Sequence, residues 1–420
     1  MADKPELAVV PNKAEVVVIG AGPSGAIASA LLHRAGVDVV VLERDRFPRF
    51  SIGESLLPQC MEYIEEAGFL PALRAAGFQY KNGAAFAWGE RKTYFNFEEK
   101  FSPGPGTTFQ VERARFDQLL AEQAELQGVP IAYQHSVTSY TETADGVRLG
   151  YSDSDSNSGS IECRFVLDAS GFGRVLPRLL GLESPSDFPV RQAAFTHIDD
   201  GIRDVSFDRN KILITVHPEE RDIWYWLIPF ANGKSSLGVV ASAEKLAQRG
   251  ASSPLELLQT MVREAPSLAE TLSAAQWNCP ANQLTGYSCN VKHLASNRYA
   301  LLGNAGEFLD PVFSSGVTIA MRSASMAVRV LLRQLAGESV DWQAQYERPL
   351  RQGVATFRVF VDAWYDGLFQ DIIFYPDQAE NLREMISSIL AGYAWDSDNP
   401  FVAQPKRRMN TLAQYCSSVT

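Results

Sequence analysis

Residues 15–43, EVVVIGAGPSGAIASALLHRAGVDVVVLE, restrict the fold more than any other stretch of the chain. An apolar run, a glycine-rich turn, a helix of small residues and a second apolar run ending on an acid read as one β–α–β unit. Gly20, Gly22 and Gly25 have the G-x-G-x-x-G spacing directly after the first run. Gly20 is expected to permit the tight turn, Gly22 to let the backbone approach a pyrophosphate, and Gly25 to let the helix lie close to the sheet. Glu43, 18 residues beyond Gly25, ends the second strand, where a carboxylate can accept from ribose hydroxyls. The unit predicts a bound dinucleotide.

A chain of 420 residues has room for about two to three domains. Its 38 basic and 49 acidic side chains leave a net charge of −11, so the body offers no attraction to nucleic acid or an anionic membrane. The basic cluster Lys406, Arg407 and Arg408 is short and reads as a solvated tail. No apolar run approaches the roughly 18 residues of a membrane span. The first ten residues lack the basic-then-apolar order of a secretion signal. Cys60, Cys163, Cys279, Cys289 and Cys416 are odd in number and scattered, without a C-x-x-C pair. His33, His135, His197, His217 and His293 show no ligand spacing. No metal is expected, and the reducing cytoplasm fits.

Farther on, Gly53-Glu54-Ser55 stands where Pro48 and Gly53 break the chain and a helical pattern starts at Leu56, which predicts a loop-to-helix junction. Lys81 lies in GFQYKNGAAFAWGE, an aromatic, glycine-rich strand or loop that can desolvate an amine and lower its pKa. Arg113 precedes a helix expected from about Ala114, placed either to reach a cofactor or to form an ion pair. Asp168 and Gly171 form an acid-glycine turn after a strand, which can face a pyrophosphate or merely turn the chain.

The whole predicts an α/β protein: a Rossmann-type dinucleotide-binding domain with an inserted, mainly antiparallel β-sheet substrate domain and a C-terminal helical cap. The expected bounds are 1–184 and 291–345 for the dinucleotide-binding domain, 185–290 for the insert and 346–420 for the cap.

These separated pieces resemble the flavoprotein class typified by p-hydroxybenzoate hydroxylase. The correspondence rests on Gly20 to Gly25, Arg113 to Asp117 (R-A-R-F-D), Asp168 to Gly171, and Gly303-Asn304. Asn304 stands where the class usually has Asp; an amide can still donate to or accept from a ribose hydroxyl. Together with Ser24, Arg44, Ser55, Val137, Ser314 and Val317 these residues make up the expected FAD contact set.

Within that class the chain resembles the flavin-dependent halogenases. Trp224-Tyr225-Trp226-Leu227-Ile228-Pro229 fits their W-x-W-x-I-P pattern, and Phe308, Pro311, Ser314 and Gly316 fit F-x-x-P-x-x-S-x-G. The resemblance implies that reduced FAD and O2 form a C4a-hydroperoxide attacked by chloride or bromide, and that hypohalous acid travels to a separate pocket. Ser315 and Gly316 would offer backbone N–H groups to the halide at a helix N-terminus. Trp224, Trp226, Pro311 and Phe313 would line the tunnel and keep the substrate off the flavin. Lys81 matches the family's essential lysine, which relays the electrophilic halogen. Phe313 stands where halogenases of free tryptophan typically carry glutamate, so the resemblance implies an electron-rich phenol or pyrrole, free or carried on a protein. With one dinucleotide fingerprint, the chain is expected to draw its FADH2 from a separate flavin reductase. An aromatic monooxygenase remains the alternative reading.

Overall fold

The computed structural model describes residues 10–419; residues 1–9, on which most of the secretion-signal reading falls, lie outside the described residues. Strand β1 (Val16–Ile19), helix α1 (Pro23–Arg34) and strand β2 (Val39–Glu43) form the opening unit. Every residue of both strands is buried, as the continuous apolar runs require of strands covered on both faces. They stand in a five-stranded parallel sheet in the order 299–301, 165–168, β1, β2, 131–133.

A second sheet has seven strands, in the order 282–285, 191–199, 234–242, 224–229, 211–216, 83–88, 91–96. All its pairings are antiparallel except that of 211–216 with 83–88. The hairpin 83–96 therefore joins this sheet although it precedes residue 185 in the chain. Alternation along Trp224–Pro229 separates two cores. Trp224, Trp226 and Ile228 share one core with the C-terminal helices, whereas Tyr225 and Leu227 pack against the helix Pro254–Arg263 on the other face.

Helices 348–365, 368–373, 380–390 and 405–419 follow. Their Phe357, Phe360, Trp364 and Phe369 are fully buried against the second sheet, each contributing about 1.5–3 kcal/mol. The basic cluster is exposed, as expected, but forms part of the last helix instead of a loose tail.

The segment 52–56 differs from its sequence reading. Leu56 N–H donates to Phe109 O, Val111 N–H to Glu54 O, and Ser55 bridges Gln110, so the segment runs extended beside strand 108–110. The helix begins only at Cys60. Pro58 cannot donate and disfavours helical geometry in the residue before it, and the neighbouring strand supplies the missing partners.

Candidate active site

The glycine-rich turn has the geometry its spacing implies. Gly20 has φ +94°, and a Cβ there would lie 2.7 Å from Ala169 O. A Cβ on Gly25 would lie 1.9 Å from Gly20 O, whereas one on Gly22 would meet only Arg49, at 3.4 Å. Gly22 therefore opens into free space, the cradle that a pyrophosphate needs. Glu43 accepts from Ala21 N–H at 2.7 Å and from Asp45 N–H at 2.9 Å, bracing the turn as well as lining its cavity.

Two cavities meet here and share Gly22, Arg44, Asp45, Arg49, Ala169, Ser170 and Gly173. The smaller, about 330 Å³, is bordered by Gly20, Glu43, Arg44 and Val137. The larger, about 560 Å³, is bordered by Ser24, Ser55, Arg113, Asn304, Pro311, Ser314, Gly316, Val317, Trp224 and Trp226. A long site with its waist at the Gly-rich turn suits FAD, with adenosine toward Glu43 and the ring system toward Ser314.

Five predicted residues stand apart from the cavities: Gly25, Asp168 and Ser315, and, described below, Lys81 and Phe313. Gly25 acts through packing. Asp168 accepts from Ser170 N–H at 2.9 Å and Leu176 N–H at 2.7 Å, so its buried carboxylate pins its own turn and reaches neither cavity. Ser315 is buried just behind Gly316. Arg113 forms the ion pair held open by its position: it grips Asp117 at 2.7 and 2.9 Å and donates to Ile52 O, fastening the strap 52–55.

Ser314 caps the 21-residue helix Ser315–Leu335 from the left-handed region, φ +55°, without a side-chain capping bond. The first N–H groups of that helix are left to whatever occupies the cavity.

Lys81 ends the strand Gln79–Lys81 and is fully buried. Its Nζ donates to Ser55 Oγ and to Leu56 O, each at 2.7 Å, and lies 5.4 Å from the centre of the Phe97 ring. Burial lowers its pKa to about 7. Ser55 borders the large cavity and Lys81 does not.

The tunnel residues divide. Trp226 lies on Gly238, directly opposite across the sheet, where a Cβ would come within 2.2 Å of the indole. Trp224 and Trp226 are 6.0 Å apart and border the same cavity as Ser314 and Gly316. Phe313 borders none of it; its ring packs edge-on against Phe360, Trp364 and Phe369 at 6.3, 6.0 and 5.4 Å. Behind Trp224, its indole N–H donates to Tyr365 Oη at 2.9 Å, and Tyr365 donates to Asp310 at 2.9 Å. Burial raises the Asp310 pKa to about 6.

Sequence reasoning missed the Glu54–His197 pair. His197 Nε2 donates to Glu54 Oε1 at 2.6 Å, and Glu54 borders the large cavity. Burial disfavours the charged imidazole, but the Glu54 carboxylate outweighs it and raises the His197 pKa. It also missed Arg174, whose guanidinium donates to the carbonyls of Asn304 and Gly306 and positions that loop. Neither pairing has a sequence signal, since each partner is far from the other along the chain.

Among the described residues, no group of three or more His, Cys, Asp or Glu is arranged to hold a metal, and no helix is long and apolar enough to cross a membrane.

Residues 13–355 match the family described as FAD binding domain. The flavin-dependent halogenase armH5 of Armillaria mellea is 30% identical over 83% of this chain and 70% of its own length. The 1H-pyrrole-2-carbonyl-[peptidyl-carrier protein] chlorinase of Pseudomonas fluorescens is 26% identical, covering 84% of this chain and 83% of its own. The crystal structure of a flavoprotein/dehydrogenase from Cytophaga hutchinsonii superposes with a TM-score of 0.94, at 41% identity over 97% of this chain and 99% of that one. With its FAD-shaped double cavity and both sequence patterns in place, the chain belongs to the flavin-dependent halogenases, FAD-dependent enzymes that use O2 and chloride or bromide.

Proposed function

We propose that this protein halogenates an electron-rich aromatic of phenol or pyrrole type, not free tryptophan, with Lys81 relaying the halogen. The observation that carries the reading is the burial of Lys81 beside Ser55, with a pKa of about 7. Near neutral pH a large share of such amines is uncharged, and a free lone pair can take halogen from hypohalous acid, releasing water. FAD, when bound in its reduced form, supplies with O2 the oxidising equivalent for the halide. Gly316 and Val317 offer N–H groups to an anion at the end of the long helix. Ser55 holds the amine at the cavity wall, and the Arg113–Asp117 pair keeps the strap carrying Ser55 in place.

The substrate class is supported by Phe313, which is packed in an aromatic cluster and cannot serve as a base. Relatives named for pyrrolyl groups on carrier proteins make a carrier-bound substrate one form of it. A separate reductase supplies the FADH2, since the sequence holds one dinucleotide fingerprint, and the cytoplasm is its proposed compartment. Reduced FAD, O2, bromide and a phenol panel should yield brominated product; hydroxylated product alone would refute the reading.

Aromatic hydroxylation is the second reading. It is favoured by one observation: Trp224 and Trp226 border the same cavity as Ser314 and Gly316. Rapid NADPH-driven flavin reduction stimulated by the phenol would support it.

A further inference from the structure

Arg191 is a half-buried cation without an anion. It opens the strand Arg191–Asp199, and its guanidinium sits over the Tyr365 ring, 3.3 Å from the centre. Among the described residues it forms no side-chain hydrogen bond or ion pair, and its Nε is buried without a partner. A buried donor is costly to leave unpaired, so such a group marks a place where an acceptor belongs. The guanidinium borders a cleft of about 730 Å³ between the second sheet and the C-terminal helices. Other charges around the cleft are answered. Arg221 meets Asp371 and Asp222 meets Lys245, each at 2.6 Å, while Asp362, Asp366 and Lys406 are exposed to water.

The sheet register sets this cleft beside the large cavity. Ala193, Val240 and Trp224 form one row across three strands, and Ala193 and Trp224 border the cavity. Residues two apart on a strand share a face, so Arg191 stands one row outside Ala193 on that face. The partition between cleft and cavity is Tyr365, which borders the cleft and accepts from Trp224 Nε1 at 2.9 Å. Behind it lies Asp310, the residue before Pro311. Its carboxylate accepts from Tyr365 at 2.9 Å and Tyr287 at 3.3 Å, which spreads its charge.

We propose that Arg191 is a halide-loading site: chloride or bromide accepts from its guanidinium in the cleft and passes the Trp224–Tyr365 partition toward Gly316. A chain of net charge −11 repels anions over its body, so a halide needs a local cation to gather it. A guanidinium on an aromatic face is weakly hydrated and suits an ion that sheds water easily. The site rests on the halide that the family consumes and not on the aromatic class proposed above. It leaves the lysine chamber to the organic substrate.

The test uses the full chain loaded with oxidised FAD. A wild-type crystal soaked in bromide should show anomalous density in contact with the Arg191 guanidinium, which needs no variant. In solution, the bromide NMR line should broaden on adding the protein, with a dissociation constant on the order of 10 mM, and Arg191→Gln should lose part of that broadening. In turnover, Arg191→Gln should raise the KM for bromide about fivefold to tenfold while kcat and FAD affinity stay within about twofold of wild type. Arg191→Lys, which keeps the charge, should recover most of that rise. An absence of bromine density at Arg191, or displacement of bromide there by a lower concentration of acetate, overturns the site. An unchanged KM in Arg191→Gln overturns its role in loading. Bromide bound at Arg191 without any halogenated product would sink the aromatic reading and leave the site standing.

Discussion

Lys81 Nζ donates to Ser55 Oγ at 2.7 Å, so the amine meets the large cavity through a single hydroxyl. Ser55 is both its hydrogen-bond partner and part of the cavity wall. An electrophile formed in the cavity must therefore pass or displace one side chain to reach the nitrogen.

Lys81→Met keeps the volume and removes the amine. Halogenated product should fall by about a hundredfold or more, while the oxidation of reduced FAD by O2 continues. In the wild type, halogenation should rise with pH and level off above about 7, following the neutral amine. Product analysis alongside peroxide release checks the first statement, and a pH–rate profile the second. Unchanged product from the variant would remove Lys81 from the mechanism.

The same amine links stability to pH. Its pKa falls from 10.5 in the open chain to about 7 on burial. Between those values the unfolded chain binds a proton that the folded chain has released, so stability rises with pH. Below about pH 7 both states hold the proton and the full cost of burying the charge remains. Wild type should therefore gain on Lys81→Met by about 1.4 kcal/mol per pH unit above pH 7. Urea unfolding at pH 6 to 9 measures this; parallel profiles would contradict the burial.

Two glycines of one turn should separate in their effects. Gly22→Ala meets only Arg49, at 3.4 Å, in backbone that alanine adopts freely. Its apo stability should stay within about 0.5 kcal/mol of wild type, with FAD affinity down about tenfold or more. Gly25→Ala, with its Cβ 1.9 Å from a carbonyl oxygen, should lose about 1–3 kcal/mol of stability as well. Denaturant unfolding beside flavin titration distinguishes them.

Gly238→Val should expel the Trp226 indole from its seat. The variant should lose about 1–3 kcal/mol and show a red-shifted tryptophan emission, because the Nε1–Ser236 bond of 3.0 Å cannot survive the displacement. An unshifted spectrum would mean that the sheet yields instead of the ring.

Much of the FAD site was legible because its demands are local. Gly20, Gly25 and Glu43 act within one β–α–β unit, where spacing alone dictates which atoms collide and which carboxylate closes the turn. Trp224 and Trp226 were legible as one face of a strand by their period of two. The segment 53–55 was misread because a helical pattern after Leu56 cannot reveal that strand 108–110 competes for the same backbone donors. Asp168 and Phe313 were assigned to ligands, yet their environments are protein: two N–H groups for one, three aromatic rings for the other.

By itself the amino-acid order determined the glycine-rich turn of the β–α–β unit and the faces on which Trp224 and Trp226 lie. Folding alone decided what each of these faces. Glu54 and His197, 143 residues apart, are joined by a hydrogen bond, and Ser55 stands between Lys81 and the cavity. Periodicity specifies the side of a strand or helix on which a residue lies. The partner across the gap is set by which elements pack together, and that is a property of the whole chain.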